Sequence, residues 1–185
     1  MTSRSQGRET MHRARMLIRS TITAAVLVLV ATHAPAATEP VPVAAFDFEL
    51  IDTSLEGEIK GTQPAETARL KIISNQLRQL LAKSGRYQIL DTTEIKKEIE
   101  AAGNLHGCNG CEADLARRLG AKLAIIGQVQ KVSNLILNIN IYIRDVETGR
   151  MLQVMSADIR GNTDDSWRHG VRWLVRNRIL SKKSE

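Results

Sequence analysis

Two cysteines, Cys108 and Cys111, are the only ones in the 185-residue chain, and they stand in C-N-G-C spacing. Three chemistries use that spacing: a structural disulfide, a thiol–disulfide exchange site and part of a metal site. Export to an oxidising compartment, argued below, favours the disulfide. Exchange is the rival, because a thiolate at the start of a helix is stabilised by the helix dipole. Thioredoxin-type pairs, however, follow a strand, whereas this pair follows a helix and a loop. Covalent haem needs C-x-x-C-H, and Glu112 occupies the histidine position. Zinc needs two further ligands, and past the leader only His106 and His169 are available. No metal and no cofactor is expected.

The remaining chemistry is sparse. Neither a G-x-S-x-G elbow nor an H-E-x-x-H motif occurs. Lys60-Gly61-Thr62 has the lysine on the wrong side of the glycine for a phosphate loop. Without a nucleophile–base pair the reading is a binding protein and not an enzyme. Contact candidates are Trp173, His169 and Arg176 on the wet side of the last helix, and the polar strip Asn138, Asn140 and Tyr142. Tryptophan, tyrosine and arginine are the residues that interface hot spots favour. Whether a small ligand binds is not legible.

The elements that position these residues follow from periodicity. Val43 to Asp52 begins as an apolar run and ends in alternation, an interior strand whose far end meets water. Thr53 to Gln63 is polar, holds Gly57 and Gly61, and reads as a loop. Pro64 opens a helix with Leu70, Ile73, Leu77, Leu80 and Leu81 on one side, stopped at Ser84-Gly85. A short strand at Tyr87–Asp91, a helix at Glu94–Ala102 and a second short helix at Ala113–Leu119 follow.

Leu123–Gly127 is apolar on both sides and belongs inside a sheet. Leu135, Leu137, Ile139, Ile141 and Ile143 then alternate with polar residues, giving one buried and one solvated face. Asp145–Gly149 is a hairpin turn and Met151–Ile159 returns. The last helix starts at Asn162 or Thr163 and buries Trp167, Val171, Leu174, Val175 and Ile179. At 3.6 residues per turn Arg178 projects from that apolar side, with an acid such as Asp47 as a partner. The order β-α-β-α-α-β-β-β-α implies an α+β fold, a mixed sheet of about five strands with helices packed on one side.

The N-terminus reads as an export signal. Arg4, Arg8, Arg13, Arg15 and Arg19 precede the apolar run Ile22–Ala31 and the small-residue exit Ala34-Pro35-Ala36. The run is shorter than the roughly 20 residues of a membrane span. Residues 1–36 are therefore a cleavable signal peptide, 37–42 a short linker and 43–181 a single domain; the true start is Met1, Met11 or Met16. Past the signal, 21 basic residues stand against 19 acidic ones, so the high pI belongs to the leader and no nucleic-acid partner is expected. The mature chain holds no transmembrane span.

Ala121 to Val129 within L-G-A-K-L-A-I-I-G-Q-V, and Arg144 to Arg150 as R-D-V-E-T-G-R, resemble the N-terminal domain of TolB and are similar to the periplasmic domain of CsgG-like proteins. V-A-A-F-D-F and S-G-R-Y-Q-I-L-D sit where that fold has its first two strands. With C-N-G-C and R-G-N-T-D-D-S-W added, the chain looks like an uncharacterised family of small secreted bacterial proteins, a domain of unknown function. The resemblance implies a TolB N-terminal-like fold and a periplasmic accessory or binding module with a protein partner in the cell envelope. Its alternative is a small periplasmic redox protein. No contact residues carry over, because no matching contact motif is present.

Overall fold

The computed structural model describes residues 39–181. The segment expected as a signal peptide and the start of the expected linker lie outside them. Five strands form one mixed sheet: β1 (Val41–Asp52), β2 (Tyr87–Ile89), β3 (Leu123–Ser133), β4 (Ile136–Asp145) and β5 (Met151–Ile159). Their order is β2-β1-β3-β4-β5, with β1 parallel to β2 and β3, and β3, β4 and β5 antiparallel in turn. The helices are α1 (Leu55–Lys60), α2 (Pro64–Lys83), α3 (Lys96–Ala102), α4 (Cys111–Arg118) and α5 (Asp164–Leu174). The α+β class and the five-stranded mixed sheet are as expected.

The two long helices, α2 and α5, lie on one face of the sheet. Ile73, Leu77 and Leu81 of α2 and Trp167, Val171 and Leu174 of α5 pack on Ile125, Val129, Ile139 and Ile141. The short helices cover part of the other face, where Leu115 and Ala116 of α4 meet Ala44, Phe46, Ala124 and Ile126. This second layer is what the two-sided apolar code of β3 demands: Ala124 and Ile126 need cover as much as Ile125 does. Between β1 and β3, Gly127 faces Phe48, and a Cβ there would collide with the phenyl ring.

Two sequence expectations are corrected. The stretch read as a loop contains α1, which adds a helix to the expected order. Its signal was local and easily missed: Ser54 caps it by accepting the Gly57 N–H at 3.1 Å, and Asp52 accepts the Ser54 N–H at 2.9 Å. Gly57 is required because a side chain there would collide with the Asp52 carboxylate. The second correction concerns Arg178, which is exposed and does not face the core. Val175–Ile179 winds as a π-turn, with Leu180 N–H donating to Val175 C=O at 2.8 Å. The wider turn rotates Arg178 off the apolar side while keeping Ile179 on it.

β1 carries a bulge: Ala45 pairs with Ile125 but Phe48 with Gly127, one residue too many. Helix α2 satisfies the disrupted ladder. Ser74 Oγ accepts the Phe48 N–H at 2.8 Å and Arg78 Nε donates to Ala45 C=O at 3.0 Å. Arg78 also pairs with Asp47, the acid assigned to Arg178 from sequence.

The other tie between α2 and the sheet is ionic. Lys131 of β3 is fully buried, and its Nζ donates to Glu66 at 2.6 Å, Asp52 at 3.0 Å and Glu56 at 3.3 Å. Glu66 in turn accepts from Asn162 Nδ2 at 2.7 Å and from the Gln63 N–H at 3.2 Å. One ammonium thus joins β1, α1, α2 and the loop before α5. Removing one member of such a buried group leaves the others uncompensated, a cost of about 3–5 kcal/mol. Lys131→Met is therefore expected to lower stability by about that amount in urea titration; a loss below about 1 kcal/mol would show that the carboxylates are held by other groups.

Burial pushes the Asp52 carboxyl up, but the Ser54 hydroxyl and N–H together with Lys131 outweigh it and hold it below its usual 3.8. A carboxylate lowered in the folded state stabilises the fold above its unfolded value and loses that contribution as pH falls through the folded one. The urea midpoint should accordingly hold from neutrality to about pH 4 and fall below it. Asp52→Asn should flatten that acid limb, and an unchanged limb would assign it to other carboxylates.

Candidate functional site

The structure joins Cys108 and Cys111 as a disulfide with Cα atoms 5.6 Å apart. It staples the loop Asn104–Gly110 to the start of α4. Within this loop Asn109 and Gly110 take positive φ, 55° and 110°, which close the turn between the cysteines. Glu49 of β1 anchors the loop from below, accepting the Leu105 N–H at 2.7 Å and the His106 N–H at 3.4 Å. The His106 ring lies 4.6 Å from that of Tyr142.

Chemistry at the pair is set by Glu112, which is buried and ion-paired with Arg144. Its second oxygen lies 3.8 Å from Cys108 Sγ. A carboxylate at that distance disfavours a thiolate on Cys108, whereas the N-terminus of α4 favours one on Cys111. Cys108, Cys111 and Glu112 bring three ligand-type atoms within 4.8 Å of one another, but the two sulfurs are bonded to each other. The arrangement suits a clamp: it fixes a loop on the sheet and opposes reactivity at one sulfur.

The strip named from sequence lies on the sheet face away from α2 and α5. Asn138 donates to Asp158 at 2.6 Å, and Ser156 Oγ donates to Asn138 Oδ1 at 3.1 Å and to Asn140 Oδ1. Asn140 is buried, Asn138 half-buried, and Tyr142 half-covered by His106, with burial pushing its phenol up. These residues spend most of their capacity on one another.

Trp173 and His169 lie elsewhere, one turn apart on α5. They stand with Gly170 across from Ser156–Ile159 of β5 and enclose a groove of about 350 Å³. A second hollow of about 440 Å³ adjoins it, lined by Arg160, Asp165 and Arg172 among others. Trp173 is 41% exposed, its ring faced by the Arg178 guanidinium at 5.8 Å. Arg176 is exposed beyond the groove. The six contact candidates therefore fall into two groups, on opposite faces of the sheet.

Sequence reading did not anticipate Glu112, Arg144 or Gln128. Gln128 is buried between Glu49 and Asn140 in the strand register, and neither atom of its amide has a partner among the described residues. Lys131 was legible in principle, since it shares the inward parity of Ile125 and Val129 on β3. The glutamate has no local signal, because the arginine that pairs with it is 32 residues away.

Closing the four-residue ring is worth about 2 kcal/mol in the chain-entropy account. Cys108→Ser/Cys111→Ser should lose about that much and speed amide exchange in Asn104–Gly110, leaving β3 and β4 protected. Unchanged exchange in the loop would mean that Glu49 alone holds it.

No curated protein matches the chain. Among solved structures, the LpoB C-terminal domain from Salmonella enterica is 15% identical with a TM-score of 0.47, over 66% of this chain and 83% of that one. Lipoprotein GNA1162 from Neisseria meningitidis is 14% identical with a TM-score of 0.47, over 78% and 100%. TolB from Acinetobacter baumannii is 13% identical with a TM-score of 0.40, over 75% of this chain and 28% of that one. None of these likenesses bears on what this chain binds. Residues 41–179 match the DUF3280 family, described as "Protein of unknown function (DUF2380)", and the chain belongs to that family.

Proposed function

We propose that this chain is an exported module of the cell envelope that binds a protein partner through the groove between α5 and β5. The observation that carries the reading is the meeting of Trp173 and His169 on one wall of that groove. A half-exposed tryptophan beside a polar rim is the composition of an interface anchor. Export rests on the basic, apolar and small-residue order of residues 1–36. Among the described residues, no helix is long and apolar enough to cross a membrane. Thiol–disulfide exchange is the rival reading, and the Glu112 carboxylate beside Cys108 weighs against it.

Photo-crosslinking in cells from position 172, in the hollow that adjoins the groove, tests the proposal. A specific adduct is expected, and Trp173→Ala should weaken its formation by about 30-fold, the effect of losing roughly 2 kcal/mol at a hot spot. The thermal midpoint should not move. Undiminished adduct in that variant would remove Trp173, and with it the reading.

A further inference from the structure

Charge is divided unevenly between the two helical layers. On one face of the sheet α3 and α4 carry Glu98, Glu100, Glu112 and Asp114. On the other, α2 holds no acid beyond Glu66 in its first turn, and α5 with its π-turn holds none beyond Asp164 and Asp165. Arginines elsewhere are mostly spoken for. Of the seven between residues 39 and 150, five are ion-paired: Arg69, Arg78, Arg117, Arg118 and Arg144. Arg168, Arg172, Arg176 and Arg178 meet no carboxylate among the described residues. Three of them, Arg168, Arg172 and Arg176, follow at steps of four and share one side of the helix, where like charges weaken it. The helix dipole favours cations in the last turn, which accounts for Arg172 and Arg176 but not for Arg168 in the first half of α5. A one-signed field kept at a local cost serves to draw in an opposite charge.

Resting on the proposed groove reading, we propose that the protein partner presents an acidic segment to α5. Its carboxylates are met by Arg168, Arg172 and Arg176, and an apolar side chain beside them packs on Trp173. Among the described residues, Trp173 is the one large apolar side chain exposed on α5 and its π-turn. Apolar contact there is confined to one point, and charge must supply the rest. The planar guanidinium suits that task, because its fork of N–H groups donates to both oxygens of a carboxylate. Arg178, 5.8 Å from the Trp173 ring, adds a fourth cation where the apolar and ionic parts of the site join. Asp165, at the N-terminal end of α5 and with no ion pair, bounds the site on that side. Anionic lipid headgroups would satisfy the arginines too. Trp173, however, stands on the wall of a groove closed by Ser156–Ile159, which a protein segment can fill and a flat lipid surface would span.

Charge reversal in the cells that crosslink from position 172 decides the matter. Arg168→Glu/Arg176→Glu should cut the adduct at least about tenfold, and Arg168→Lys/Arg176→Lys, which keeps the charge, should keep most of it. The thermal midpoint of the glutamate variant should not fall, because each new acid stands four residues from Arg172 and replaces a like charge by an opposite one. Arg86→Glu/Lys97→Glu changes the net charge equally at exposed positions elsewhere and should leave the adduct intact. Mass spectrometry of the captured peptide should find more Asp and Glu than Lys and Arg. An adduct undiminished by reversal, an equal loss in the lysine variant, or a captured segment without the acidic excess overturns the proposal and leaves the groove reading standing. If reversal spares the adduct but abolishes flotation of the protein with phosphatidylglycerol vesicles, the arginines serve a lipid surface instead. No adduct at all from position 172 removes the groove reading and this proposal with it.

Discussion

The fully buried ammonium of Lys131 is the constraint on which the arrangement of this protein depends. Three carboxylates converge on it, from the end of β1, from α1 and from the first turn of α2. Removing a charge from water costs several kcal/mol, and the cost is recovered only when every remaining proton and lone pair finds a partner. Asn162 supplies such a partner to Glu66, and its carbonyl oxygen also accepts from Trp167 Nε1 at 3.1 Å and Arg69 at 3.0 Å. The loop before α5 is therefore tied to the same centre as α1 and α2. Sliding α2 along the sheet by one turn would strand Lys131 and Glu66 together. Apolar packing of Ile73, Leu77 and Leu81 alone would not penalise that slip so heavily, because hydrophobic contact is non-directional.

The bulge in β1 sets α2 at a second point. Ser74 and Arg78 accept and donate where the ladder between β1 and β3 fails, and leaving those backbone groups buried without partners would cost about 1–3 kcal/mol each. Two polar fixings at separate points, with an apolar stripe between them, give α2 one place on the sheet. Helix α5 packs beside it through Trp167 and Val171, with Gly170 at the point where Ile139 and Ile159 come closest. The result is a closed face under α2 and α5 and a half-covered face under α3, α4 and the stapled loop.

The disulfide belongs to the second face. It closes a small ring, so its contribution to global stability is modest beside its effect on one loop. Glu49, Glu112 and Arg144 do the complementary work of pinning that loop and α4 to the sheet. A C-x-x-C pair placed in this way ties one loop to the start of α4. The same spacing at the end of a strand, without an anion beside it, would have different chemistry.

Much of this was legible in the chain. The helices α2 and α5, the alternation of β4, the hairpin at Asp145–Gly149 and the two-sided burial of β3 follow from periods of 3.6 and 2 and from turn chemistry, which act over a few residues. Those signals determined the α+β class and the residues of the main core. What they could not determine depends on partners far apart in sequence. Lys131 meets Glu66 across 65 residues, and Arg144 meets Glu112 across 32. Arg178 turned outward because one π-turn, set by packing of Val175 and Ile179, broke the helical phase. Local patterning carries the sign of burial for most core residues, while only the tertiary structure decides which buried charge finds which counter-charge, and which edge and groove remain open.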